Sequence, residues 1–294
     1  MARLLLALAA LAISCSGCST IPARASDGRL QVVAGENFWG DLARQVGGDR
    51  VDVTSLINSP DADPHLFEPG TSSGLAVAGA DVVIVNGADY DGFMDRLIAA
   101  APSTSRQVVS VADVLHAAGS DVNPHFWYDV PRLPDVVRAI GAAMQTADPA
   151  HAAHYRRGVA ATIRSLHPLQ AAVAGLSDGF SGTPVAYTER VPGYLLAAAH
   201  LRVIPVASFT HAIESGVDPS FADIAAMRDL ITGHRIRALL VNEQAQTTIV
   251  DQLVSLARND GVAVVGVTET RPASTTFERW QLDQIRALDN ALAR

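Results

Sequence analysis

The feature that most restricts what this chain can fold into is a series of short β-branched runs separated by helical patterns. They read LQVVAG (30–35), VDVTSLI (51–57), DVVIVNG (81–87) and RQVVSV (106–111) in the first half. In the second half they read TPVAYTE (183–189), LRVIPVA (201–207), ALLVNEQ (238–244) and VAVVGVTE (262–269). Near-continuous apolar strands are those covered on both faces, and alternation with helices favours parallel pairing. Four runs and four runs predict an α/β chain of two lobes, each a mostly parallel four-stranded sheet flanked by helices.

Between the halves, Tyr155, Val159, Ile163, Leu166, Leu169, Val173 and Leu176 recur at helical spacing. Asp148 before Pro149 predicts the start of this helix, the carboxylate capping free amides and the proline taking the first turn. Pro168 predicts a kink. One long backbone helix (148–177) would join an amino-terminal lobe (29–147) to a carboxyl-terminal lobe (178–294), a stiff connection and not a floppy hinge. His151 and His154, three apart on it, are expected to face water.

Charge narrows the partners. The net charge is −8 and every basic residue is an arginine, so no basic face offers itself to nucleic acid. Residues 1–28 read as a leader and tether: Arg3, then an apolar run too short for a membrane span, then small residues. Cys15 and Cys18, the two cysteines of the chain, lie there, and each follows a stretch resembling a bacterial lipobox, in which the cysteine is lipidated. Cys18 has the smaller residues before it and Cys15 the more apolar ones. The expected location is therefore outside the cytoplasm, held to the cell membrane by a lipid anchor. With both cysteines in the leader, the folded part has no thiolate for a metal and no disulfide.

Ligands of open parallel sheets sit beyond the carboxyl ends of the strands. That rule selects His65 in SPDADPHLFEPG, His125 in NPHFWYDV, Glu189 at the end of TPVAYTE and Glu269 at the end of VAVVGVTE. Two imidazoles and two carboxylates form a mixed nitrogen and oxygen set whose charge neutralises a divalent cation. Both histidines follow a proline, which restrains the loop and aims the ring. Glu243, in VNEQ, also ends a strand and is expected to orient a ligand; Trp127 is expected to shield His125. His200, His211 and His234 have no convergent partner in the sequence.

The DPH loop at 63–65, the NPHFWYD segment at 123–129, the pair Thr188-Glu189 followed by Tyr194, and GVAVVGVTET at 261–270 together resemble the cluster A-I solute-binding proteins. These are extracytoplasmic metal receptors of bacterial ABC importers for manganese, zinc or iron. The resemblance covers the chain beyond its leader and implies two α/β lobes joined by a backbone helix. It makes His65, His125, Glu189 and Glu269 the ligands of one divalent ion, manganese or iron ahead of zinc, because the His-rich loop of many zinc-specific members is missing. It also implies a monomer that binds no nucleic acid, performs no catalysis, and docks on a membrane permease with its ATPase. Three departures are visible: Glu269 stands where an aspartate is usual, Asn123 replaces an aspartate before the second histidine, and Arg190 could compete with the ion for Glu189. Because imidazole must be unprotonated to bind, retention should fall below roughly pH 6.5, the ordinary histidine value. An exported metal-dependent hydrolase and a surface adhesin stay open as alternatives at this point.

Overall fold

A computed structural model describes residues 28–59, 67–119 and 121–294. The leader with Cys15 and Cys18, and the loop with His65, lie outside the described residues. Among those described, no helix is long and apolar enough to cross a membrane.

All eight strands form: β1 (Leu30–Glu36), β2 (Val51–Ile57), β3 (Val82–Val85), β4 (Gln107–Ser110), β5 (Pro184–Tyr187), β6 (Arg202–Val203), β7 (Ala238–Asn242) and β8 (Ala263–Val267). They make two four-stranded sheets ordered β2-β1-β3-β4 and β6-β5-β7-β8, every pairing parallel. The central strands β3 and β7 are buried along their whole length, as doubly covered parallel strands must be. β6 is shorter than the run 201–207 suggested. Pro205 has no amide to donate, so pairing stops after the bond from Ile204 N to Val185 O (2.8 Å).

The helices are α1 (Asn37–Gly47), α2 (Thr71–Ala78), α3 (Gly92–Ala100), α4 (Val111–Val114), α5 (Leu133–Ala147), α6 (Ala152–Ser165), α7 (His167–Phe180), α8 (Gly193–Ala198), α9 (Ala207–Glu214), α10 (Phe221–Thr232), α11 (Thr248–Asn259) and α12 (Phe277–Leu292). The connection between the lobes is two rods, α6 and α7, meeting at Leu166, with Pro168 in the first turn of the second. Asp148 does not cap amides with its side chain. Its carboxylate instead accepts the Tyr155 hydroxyl (2.8 Å) and pairs with His151 Nδ1 (2.8 Å). His154 does not simply face water either: its Nε2 lies 2.8 Å from Gly47 O, at the carbonyl end of α1.

One hydrophobic core runs through both lobes, joining Val32, Ile84 and Trp127 to Leu195, Leu240 and Trp280 by way of Tyr155, Leu169 and Leu176 on the two rods. Polar ties reinforce it. Asn37 donates to Arg271 O (2.7 Å) and accepts from Arg271 N (3.1 Å), while Phe277 N donates to Asp41 (2.9 Å). Ser165 Oγ bonds Glu278 (2.7 Å). The carboxyl ends of both sheets are thereby held face to face across a short gap.

Candidate metal centre

His125 leaves Pro124 and enters a 3₁₀ turn, Phe126–Tyr128, whose three rings are fully buried. The turn is anchored by Asn86, which donates to Pro124 O (2.9 Å) and accepts from Trp39 Nε1 (3.1 Å). The imidazole is 2% exposed, with Trp127 edge-on to it at 5.2 Å between centroids and Tyr90 at 5.9 Å. Its tautomer follows from the amide beside it. Asn123 Nδ2 donates to Arg190 O (2.9 Å), so Asn123 Oδ1 is the atom facing His125, where it already accepts the His125 backbone amide (3.2 Å). An amide oxygen only accepts, so His125 Nδ1, 2.6 Å away, carries the proton and Nε2 keeps a lone pair. That Nε2 is buried and has no hydrogen-bond partner among the described residues.

Nε2 points at Glu269, with 3.5 Å to Oε2. Two donors bound to one ion at about 2.1 Å and a tetrahedral angle lie about 3.4 Å apart, so the separation suits a shared cation. Glu269 is 2% exposed and closely supported. Tyr90 donates its hydroxyl to Oε2 (2.9 Å) and Asn242 Nδ2 donates to Oε1 (2.6 Å). Gln244 Oε1 accepts both the Glu269 and Thr270 amides (2.6 and 2.9 Å). Burial, and then the Glu269 charge, push the Tyr90 hydroxyl well above its ordinary range, so it remains a donor. Asn242 Nδ2 also hydrogen-bonds Glu189 Oε2, which joins the two carboxylates of the carboxyl-terminal lobe; Glu189 is 4% exposed. The structure thus sets His125 against Glu269 and links Glu269 to Glu189 through Asn242. Among the described residues no group of three metal-binding side chains closes around one point. His65, expected as the remaining ligand, lies outside the described residues.

Arg190 does not compete for Glu189. Its guanidinium bonds Asp121 (2.6 Å) and Glu214 (3.0 Å), spanning the two lobes at the mouth of the site. This mouth is a cleft of about 230 Å³ that His125 shares with Asp89, Asp121 and Glu214. His211, without a partner in the sequence reading, lines the same cleft.

The supporting cast differs from expectation at one position. Asn123 and Trp127 both contact His125, but Glu243 is exposed and lies over Gly266 of β8, away from the site. The reason is strand parity. Successive side chains alternate between faces, so Asn242 and Gln244 turn inward and Glu243 outward. The alternation within VNEQ was the signal that would have found them. Tyr90 was also missed, and NGADY, directly after a buried strand, was its cue. That loop is tightly wound: Gly87, Ala88 and Asp89 all have positive φ (76°, 52° and 61°), and Asp91 holds it by accepting the Asn86 and Gly87 amides (2.7 and 2.8 Å).

Asp91 faces a second buried acid, Glu36, at the end of β1. Burial pushes Asp91 up to about 6, against the pull of the two amides. Burial, and then the Asp91 charge, raise Glu36 well above the usual carboxyl range. Between the unfolded carboxyl values near 4 and these raised ones, the folded chain holds more protons than the unfolded one, so this pair's contribution to stability falls as pH rises. For Asp91 the effect is roughly 3 kcal/mol in total. Glu36→Gln abolishes one of these protonations. The stability of the metal-stripped variant, relative to wild type, should improve between pH 5 and pH 7 in chemical denaturation; a relative stability that declines over that interval would contradict the assignment.

A family model described as ZnuA, zinc-uptake complex component A, periplasmic, matches residues 32–291. Manganese-binding lipoprotein MntA of Bacillus subtilis (strain 168) is 26% identical over 278 residues, covering 90% of this chain and 86% of that protein. Among solved structures, the periplasmic zinc-binding protein TroA from Treponema pallidum superposes with a TM-score of 0.78 at 19% identity, over 91% of this chain and all (100%) of that one. The solute-binding protein FpvC from Pseudomonas aeruginosa, solved in complex with Mn2+, superposes with a TM-score of 0.76 at 22% identity, over 90% and 98% of the two chains.

Proposed function

We propose, for a chain that belongs to the ZnuA family of periplasmic zinc-uptake components, the role of an extracytoplasmic receptor that captures one divalent transition-metal ion and hands it to an ABC permease. The observation that carries this reading is His125 Nε2: a buried lone pair, without a hydrogen bond among the described residues, aimed at a buried carboxylate at the spacing of two ligands on one ion. The ion would be held by His125, Glu189 and Glu269, with His65 from the loop after β2 completing the set. Two carboxylates balance its charge, and the oxygen-rich donor set suits manganese or iron better than zinc. MntA and FpvC, a manganese-binding lipoprotein and a protein solved with Mn2+, are relatives in keeping with that order.

Capture makes and breaks no covalent bond. Tyr90, Asn242 and Gln244 hold Glu269 in place before the ion arrives, and Asn123 holds the His125 tautomer, so little ordering remains to be done on binding. The shared core and the stitched lobes favour small loop movements over wide hinge closure as the route of release. A lipid on Cys18 or Cys15 would keep the receptor at the membrane beside its permease. Metal analysis of the purified, untagged protein after exposure to equimolar Mn2+, Fe2+ and Zn2+ tests the reading. One retained ion per chain is expected, and a protein that retains none would end it.

A further inference from the structure

Arg190 follows Glu189 directly and holds one carboxylate in each lobe. Its attachment to its own lobe is firm. Glu214, at the end of α9, accepts the Arg190 backbone amide (2.8 Å) and Nε (3.0 and 3.1 Å) and pairs with Nη2 (3.0 Å). That glutamate side chain is only 13% exposed. The attachment to the amino-terminal lobe is of a different kind, from Nη1 to Asp121 (2.6 Å), whose side chain is 89% exposed. Ion pairs exposed to water are weak, and salt weakens them further. One arm is therefore built to hold and the other to let go.

Asp121 begins the short segment that leads to His125. Asn123, between them, is tied to the carboxyl-terminal lobe twice: its Nδ2 donates to Arg190 O (2.9 Å), and its carbonyl accepts the Tyr194 hydroxyl (2.8 Å). Asn123 Oδ1 in turn fixes the His125 tautomer (2.6 Å). Arg190 and Asp121 both line the cleft of about 230 Å³ that reaches His125. Lifting 121–123 away from Arg190 would widen the path to the imidazole and withdraw the acceptor that keeps Nε2 a ligand.

We propose that the ion pair of Arg190 with Asp121 is a latch on the cleft, gating both entry and release of the captured cation. The inference rests on the receptor reading above and extends it from affinity to rate. A pair that closes alike over the empty and the loaded site has no differential effect on the two states. It slows passage in both directions and leaves the equilibrium largely where it was.

The test is Asp121→Asn, with Asp283→Asn as the control for losing an exposed acid paired with arginine. Mn2+ entry is followed by stopped-flow tryptophan fluorescence, the Trp127 ring lying 5.2 Å from that of His125, and release by transfer to excess chelator. Asp121→Asn is expected to speed both entry and release by at least about threefold, with Kd within about twofold of wild type, while the control changes neither. The sign of the entry change is decisive. Loss of a negative charge at the mouth would by itself slow an approaching cation, so faster entry reports the opened latch. The metal-stripped protein supplies a second reading: hydrogen exchange over residues 123–128 should quicken in Asp121→Asn. Unchanged rates, slower entry, faster release alone, or unaltered exchange in the stripped protein would each overturn the latch while leaving the receptor intact. A wild-type protein that retains no Mn2+ defeats the receptor reading itself, and this inference with it.

Discussion

His125→Ala is expected to leave a folded protein that holds Mn2+ more than about a hundredfold more weakly than wild type, since losing a partner one layer outside the ligands already costs about 10–100-fold. The variant deletes the Nε2 lone pair. Glu269 stays in place, because Tyr90, Asn242 and Gln244 support it from groups that do not involve the imidazole. The carboxylates alone cannot restore a nitrogen donor, so affinity falls without the site collapsing. Competition against a chelator of known affinity reads the change, and the melting temperature of the stripped protein checks the fold. Asn123→Leu is the informative companion. It removes the acceptor that holds the proton on Nδ1, so a smaller loss, within the roughly 10–100-fold range, is expected. Unchanged affinity in His125→Ala would dismantle the proposed site, whatever the fate of the asparagine variant.

Gly158→Ala should produce the largest loss of stability per atom added. Gly158 lies on α6 where that rod crosses α1, and a Cβ there would sit 2.8 Å from Val46 C and closer still to Val46 O. Both are backbone atoms, so no side-chain rotation relieves the overlap, and the rods must part. Overpacking typically costs about 1–3 kcal/mol and more where nothing can yield, so a loss of about 3 kcal/mol is expected. In a chain of this size that lowers the melting temperature by roughly 6–12 °C. Gly175→Ala on α7 is the control. A Cβ at that position would meet nothing within 4 Å, and alanine's better helix propensity should leave it neutral or up to about 1 kcal/mol more stable. If the two variants melted alike, the close contact of α6 with α1 would not be what joins the rods to the amino-terminal lobe.

Much of the architecture was legible along the chain. The eight apolar runs became eight strands because a doubly covered parallel strand must be hydrophobic over its whole length, which is a local property. Leu166, Leu169, Val173 and Leu176 revealed a buried stripe because helical spacing is local as well. His125, Glu189 and Glu269 could be selected because parallel sheets place their ligand-bearing ends together, a rule of topology that needs only the strand ends. Where the reading went astray, the cause was also physical. The run through 207 was cut short by Pro205, and Glu243 was chosen over Asn242 and Gln244 because a one-residue parity error turns a side chain to the opposite face.

By itself, then, the sequence determined the class of fold, the alternation that makes its sheets parallel, and the residue types that suit a divalent cation. Only the tertiary structure decided which polar groups serve them. Tyr90, Asn242 and Gln244 are ordinary residues in one dimension. Their roles arise because folding links positions 90, 125, 189, 242 and 269 to one another and removes them from water. A carboxylate becomes costly, and therefore informative, only once burial has taken away the solvent that would otherwise satisfy it.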